Sequence, residues 1–267
     1  VRIGFMVITL SPSKGQDFET AVATARHTLP AQLDESQLLI SGLRKLDAGK
    51  LQQLMDVSEN IANLNVERYR AFKTPFTLQN ARQALFAFKG DVYSGIDSTA
   101  YSEDDLEYAQ QHLRILSGLY GVLRPLDLIQ PYRLEMKTKL ANPRGDNLYQ
   151  FWGERITDNL NRLLERQQEA VLINLASNEY FRAVKPKLLK GRLLTINFKE
   201  SKAGKTRVIA IFAKRARGMM ADFILRNRIE SPDGLKAFDR GGYRFSQADS
   251  DDGQWTFTRQ QPPGKKT

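Results

Sequence analysis

His112 to Met136 reads HLRILSGLYGVLRPLDLIQPYRLEM, and the fold turns on how that stretch is read. It holds a helix end, a turn bounded by Gly118 and Gly121, two prolines, and the arginines Arg114, Arg124 and Arg133. Upstream, Ser102 and Asp105 have the spacing of a capping box, with Asp in place of the usual Glu. From there Leu106, Ala109, Leu113 and Leu116 recur at helical spacing. The pattern predicts one helix from Ser102 into Gly118. Two glycines in the following turn bring backbone amides close to a neighbour. Guanidinium groups around such amides suit a phosphate or carboxylate guest. A helix cap followed by an ordinary loop is the other reading of the same glycines.

A helix, the turn Gly118-Leu119-Tyr120-Gly121 and then Val122-Leu123-Arg124 resemble the helix-hairpin-helix module. That module holds a DNA backbone phosphate on its hairpin amides, which carry no base information. The glycines here are three apart rather than in the module's Gly-x-Gly. Pro125 and Pro131 preclude a long second helix unless Pro125 sits in its first turn.

Working outward, Met6–Leu10 reads as a short buried strand stopped by Ser11-Pro12. Helices are predicted over Asp34–Leu46, from an Asp47 cap through Leu51, Leu54, Met55, Ser58 and Ile61, over Asn65–Phe72, and from a Thr77 cap through Leu85. A long amphipathic helix is predicted from Leu148 to about Arg166, with Phe151, Trp152, Ile156, Leu160 and Leu163 aligned. Strands follow at Ala170–Leu175, Leu193–Phe198 and Arg207–Ala213, the last two joined by a hairpin through Lys202-Ala203-Gly204-Lys205. A helix at Lys214–Arg228, a Ser231-Pro232 helix start and a strand at Trp255 and Phe257 complete the pattern. The expectation is one compact mixed α/β domain over residues 6–259, with flexible termini at 1–5 and 260–267. Met6 is a plausible initiator.

The chain has 267 residues, 41% apolar and 26% charged, as in an ordinary globular protein. No apolar run approaches the roughly 18 residues of a membrane span, and FMVITL is too short for a signal peptide's apolar core. A cytoplasmic protein is expected. With no cysteine and two histidines, disulfides, thiolate metal sites, thiol-based peroxide chemistry and multi-histidine metal centres are excluded. No metal or cofactor is expected.

The net charge of +10 is concentrated. Between Arg182 and Arg228, fourteen Lys and Arg face only Glu200 and Asp222, a net +12, and the rest of the chain carries −2. Such asymmetry raises polyanion binding, against the alternative of a solvated basic surface. Lys214-Arg215-Ala216-Arg217 at a helix start puts cations against the positive helix pole, which is unfavourable unless an anion sits among them. Lys185-Pro186-Lys187, with Lys190 and Arg192, extends the same stretch.

A last group is polar residues among apolar ones: Lys89 and Asp91 in FKGDVYSG, and Asn174, Ser177, Asn178, Glu179 and Tyr180 in INLASNEYF. Polar residues just after a buried strand are where α/β proteins place ligands. Taken singly, Ser177 or Asn178 also reads as a helix cap. His112 with Glu135 or Asp91 is a candidate acid/base pair.

Together, MVITLSPSK, FKGDVYSG, the His112–Met136 block, LYQFWG, INLASNEYF and FAKRARGMM resemble the YaaA family of bacterial peroxide-stress proteins, in the family's order from Met6 to about Arg259. The resemblance implies a cytosolic protein that helps bacteria survive hydrogen peroxide, limits damage from intracellular iron and binds DNA. It also implies a compact α/β fold, a positively charged cleft and a helix-hairpin-helix element. Carried over, that element falls on the helix before Gly118 and on Gly118, Leu119, Tyr120 and Gly121. The cleft takes Arg124, Arg133, Lys185, Lys187, Lys214, Arg215 and Arg217.

Two function classes follow. The first, preferred, is a monomer holding duplex or branched DNA by phosphate contacts, without sequence preference. The second is an enzyme acting on a small phosphorylated or carboxylated molecule, with Lys89, Asp91, His112, Tyr132 and Glu135 as its candidates.

Overall fold

The computed structural model describes residues 6–166 and 170–262. Strand β1 (Met6–Leu10) is followed, past its Ser-Pro break, by β2 (Gly15–Gln16). Helices α1 (Leu33–Leu43), α2 (Ala48–Met55) and α3 (Glu59–Ala71) come next. The short elements β3 (Arg82–Gln83), α4 (Ala84–Ala87) and β4 (Phe88–Lys89) lead to α5 (Glu103–His112). Then come β5 (Leu113–Ser117), β6 (Gly121–Leu123) and β7 (Leu128–Ile129). Helices α6 (Leu148–Trp152) and α7 (Arg155–Leu164) precede β8 (Val171–Asn174) and the one-turn α8 (Asn178–Phe181). The last part holds β9 (Arg192–Lys202), β10 (Lys205–Arg207), α9 (Ala210–Arg226), β11 (Arg244–Ser246) and β12 (Gln254–Gln260).

Eight strands form one sheet in the order β11-β12-β9-β8-β1-β5-β6, with β10 beside β9. The five strands β12, β9, β8, β1 and β5 run parallel, while β6, β10 and β11 pair antiparallel with their neighbours. A parallel sheet is covered on both faces, so its inner strands read as unbroken apolar runs. β1 comes close, with Thr9 its one polar residue, and β5 carries Arg114 and Ser117 within its run; every residue of both is buried. The buried side chains of sheet and helices make one continuous core.

Several sequence expectations hold in detail. The capping box at Ser102 and Asp105 has both of its reciprocal bonds, and Asp47 accepts from the Lys50 amide. The Lys202–Lys205 hairpin forms as read, and Asn65–Phe72 falls within α3 and its cap.

The decisive stretch is different. The helix begun at Ser102 stops at His112, and Leu113–Ser117 is the strand β5, paired with β1. A buried, mostly apolar run that pairs with β1 on one side and β6 on the other outweighs helical spacing that continues through it by accident. Gly118–Gly121 is therefore the turn of a β-hairpin between β5 and β6, and no helix-hairpin-helix forms there.

Smaller corrections share a cause, turn chemistry inside an apparent helical period. The helix from Asp47 breaks at Asp56, which takes a left-handed conformation, and restarts from the Ser58 cap. The long helix from Leu148 breaks at Gly153. The stretch from Thr77 forms a turn, β3 and α4 instead of one helix. Arg207 ends β10, and the residues from Ala210 open α9 instead of extending a strand. Gln260 closes β12 and is not a loose tail, while residues 1–5 and 263–267 lie outside the described residues.

Candidate functional site

The hairpin turn is packed shut. Leu119 and Tyr120 are fully buried, and the Trp152 indole donates to the Gly118 carbonyl at 2.9 Å. A Cβ at Gly118 would overlap the Leu134 carbonyl oxygen, and one at Gly121 (φ +70) would lie 2.7 Å from the Trp152 ring. The Tyr120 amide is taken by the Ser117 hydroxyl at 3.1 Å and the Val122 amide by Gln32 at 3.2 Å. The glycines serve close packing of chain on chain, and no phosphate reaches these amides.

Neighbouring arginines are also committed. Arg114 is buried, donates to the Gln110 and Leu113 carbonyls, and is pushed down to about 10 by desolvation. Arg124 is held by Asp127 through Nε at 3.0 Å and a terminal nitrogen at 2.8 Å, and it also donates to the Leu29 carbonyl. His112 lies at the other end of the sheet from Glu135. Its Nδ1 is 2.8 Å from the carbonyl of Met6, where β1 begins, and its ring stacks on Tyr108. Burial lowers its pKa below the usual histidine range. No acid/base pair of His112 with Glu135 or Asp91 forms.

The site that does assemble lies past the carboxyl ends of β1 and β8. The chain leaves β1 for β5 on one side and leaves β8 for β9 on the other, so a crevice opens where these paths part. The Ser11 hydroxyl accepts from the Ser177 amide at 2.8 Å and lies 3.3 Å from the Ser177 hydroxyl. Tyr93 donates to the Ser11 carbonyl at 3.1 Å. The Ser13 hydroxyl donates to the Lys89 carbonyl, and Gly15 pairs with Lys89 across β2 and β4. Gln16 exchanges two hydrogen bonds with the Tyr132 backbone, at 2.8 and 3.1 Å, and the Tyr132 hydroxyl meets Ser117 at 2.7 Å. Four segments distant in sequence are thereby tied into one loop cluster.

At its rim the Glu135 carboxylate collects three cations: Lys14 at 2.9 Å, Arg133 at 3.4 Å and Lys137 at 3.7 Å. Burial alone would raise the Glu135 pKa, but the Lys14 hydrogen bond and the three charges outweigh it and hold the group below the usual carboxylate range. Glu179, just past β8, accepts from the Lys137 amide at 3.3 Å. Lys89 is paired with Asp17 at 3.4 Å, and Asp91 follows in the same loop. Ser177 occupies the cap position of α8 without a side-chain cap bond.

So Lys89, Tyr132, Glu135 and the Ser177–Tyr180 segment converge, with Arg133 beside them. Lys185 and Lys187 sit on the turn before β9, where the Lys185 amide donates to Thr157. Lys214 and Arg215 are exposed in the second turn of α9, and Arg217 is largely buried there. Sequence reasoning missed Ser11, Ser13 and Lys14. They follow a buried strand just as Ser177–Glu179 do, and that rule applied to both strands would have found them. Among the described residues, no cluster of three or more His, Asp or Glu is placed to hold a metal ion, and no helix is long and apolar enough to cross a membrane.

Residues 6–249 match the family described as "Peroxide stress protein YaaA". A UPF0246 protein of Azoarcus sp. (strain BH72) is 53% identical over 260 residues, covering 96% of this chain and 100% of that protein. UPF0246 proteins of Ralstonia pickettii (strain 12J) and Colwellia psychrerythraea (strain 34H / ATCC BAA-681) are 52% and 50% identical, covering 95% and 96% of this chain and 99% and 100% of those proteins.

Proposed function

The chain belongs to the peroxide stress protein YaaA family, and from that premise we propose that it protects against oxidative damage by binding DNA in the cytoplasm through backbone phosphates, without reading sequence. Shielding the phosphodiester chain limits the damage that iron and peroxide do there. The chain's lack of cysteine excludes thiol chemistry on peroxide itself.

The observation that carries this reading is the β9–β10 hairpin. Lys202 lies directly opposite Lys205, and all three β10 residues are exposed. Like charges facing each other across an antiparallel pair destabilise it, and a phosphate between them reverses the sign. Arg207 lies opposite Glu200, but that carboxylate is buried and bound by Arg259 at 2.8 Å and by Tyr243, so the charge of Arg207, which donates to the neutral Gln261 amide oxygen at 3.4 Å, stays uncompensated by it. Three residues further on, α9 begins with no acidic residue in its first turn, and Lys214 and Arg215 extend the basic surface. Lys185 and Lys187 belong to the same stretch. Arg124 and Arg217, paired or largely buried, contribute less.

The test is duplex-DNA affinity by fluorescence anisotropy over a salt series. Lys202→Glu/Lys205→Glu/Arg207→Glu loses affinity and flattens the plot of log K against log salt by about three phosphate contacts' worth. Affinity and slope matching the parent protein would refute the proposal.

A further inference from the structure

We propose that the crevice beyond β1 and β8 is a second, separate site, which binds a small phosphorylated molecule carrying an apolar body, of nucleotide size. The crevice opens into a cleft of about 690 Å³ whose lining includes Lys14, Lys50, Arg133, Lys137 and Lys139. Among the described residues, Glu135 and Asp56 in the lining, and Asp47 at 3.9 Å from Lys50, oppose these five cations. Glu135 is shared by Lys14, Arg133 and Lys137, so one carboxylate cannot neutralise the cluster. Arg133 adds a second sign of a missing partner. Its Nε is buried and makes no hydrogen bond, while its backbone is pinned by the Tyr69 hydroxyl on its carbonyl. A guanidinium held this way is prepared to meet an oxyanion.

The cleft continues into an apolar one of about 580 Å³, and Lys50, Leu54 and Lys139 line both. Leu38, Leu46, Leu140 and Ala141 line the apolar end, and Leu38 is half exposed at 48%. A trough with a cationic end and an aliphatic end fits a ligand with a phosphate head and a flat or aliphatic body. Its volume suits one nucleotide-sized molecule and not a duplex. Its residues come from the first 143 positions, apart from the +12 stretch proposed to meet DNA.

The test is isothermal titration of the full chain with ADP and with inorganic pyrophosphate, beside DNA anisotropy. Both compounds bind, ADP more tightly. Lys14→Ala/Lys137→Ala weakens both by about tenfold or more, the scale of losing charge-assisted hydrogen bonds to phosphate, and leaves DNA affinity unchanged. Leu38→Ser brings ADP down to the level of pyrophosphate and leaves pyrophosphate where it was. These three side chains are exposed; Leu38→Ser melts at the parent's value, while Lys14→Ala/Lys137→Ala leaves the buried Glu135 with Arg133 alone and melts lower, so its circular dichroism at the titration temperature is checked to match the folded parent. Three results would overturn the site: neither compound binding at millimolar concentration, binding indifferent to Lys14 and Lys137, or loss of DNA affinity in the Lys14/Lys137 variant. In the last case the trough belongs to DNA. Loss of ADP binding in the Lys202/Lys205/Arg207 variant would likewise show a shared polyanion face. The DNA proposal fails by its own salt series, independently of these titrations.

Discussion

The sheet carries two hairpins that look alike as sequence and behave as opposites. Ser117-Gly118-Leu119-Tyr120-Gly121 and Lys202-Ala203-Gly204-Lys205 both turn on glycine, and both lie near arginine or lysine. The first is sealed under Trp152, Leu134 and Gln32, whereas nothing lies within 4 Å of a Cβ placed on Gly204. Glycine in the first makes room for other chain; in the second it only permits φ +75. Charge near a turn therefore says little until burial is known. The basic hairpin that keeps its charges in water is the one fit to meet a polyanion.

The sharpest way to break this contrast is to add one methyl group to each turn. Gly118→Ala costs about 3 kcal/mol or prevents folding, because the Leu134 carbonyl backbone must move. Gly204→Ala costs about 1 kcal/mol, the left-handed penalty alone. Urea denaturation compares them directly, and equal losses would erase the distinction.

A smaller effect belongs to the last residue of α5, just before the buried hairpin's strand. His112 has its pKa lowered by burial, so the unfolded chain takes up the proton first. Stability is then full above about pH 6.5 and falls as pH drops below it. Denaturation at pH 7 and pH 5 shows this loss in the parent, and His112→Phe removes the slope. The smallest expected effect has the other sign. Lys205→Glu relieves the facing pair with Lys202 and adds a few tenths of a kcal/mol to stability while weakening DNA binding. A variant that binds DNA less and melts no lower would separate the exposed hairpin's function from its fold.

Most of the sheet was legible. Met6–Leu10, Ala170–Leu175 and Leu193–Phe198 announce themselves as apolar runs bounded by polar residues, and β1, β8 and β9 occupy them. Leu113–Ser117 was not, because Leu106, Ala109, Leu113 and Leu116 keep helical step across a boundary that only pairing with β1 creates. The candidate site was legible in pieces. Lys89 and Glu179 stand out in the sequence as polar residues among apolar ones, and Tyr132 and Glu135 as candidates for enzyme chemistry, but their meeting depends on Ser11, Ser13 and Gln16 tying distant loops together. His112 carries the same chemical promise in sequence and sits at the opposite end of β1. Direction along a strand is invisible until the strand order is known.

The central place of β1 has a consequence for how the chain is made. Met6 and Ile8 pair with Val171 and Ile173 on one side, and Ile8 with Leu113 on the other. β1 therefore leaves the ribosome before both of its partners and waits for residues more than a hundred positions later, on the order of ten seconds at ordinary synthesis speed. For that time an apolar strand has two open edges. Sheet formation around β1 is therefore a matter of long-range pairing, which folds slowly and leaves an open strand edge prone to wrong pairing until β5 and β8 arrive.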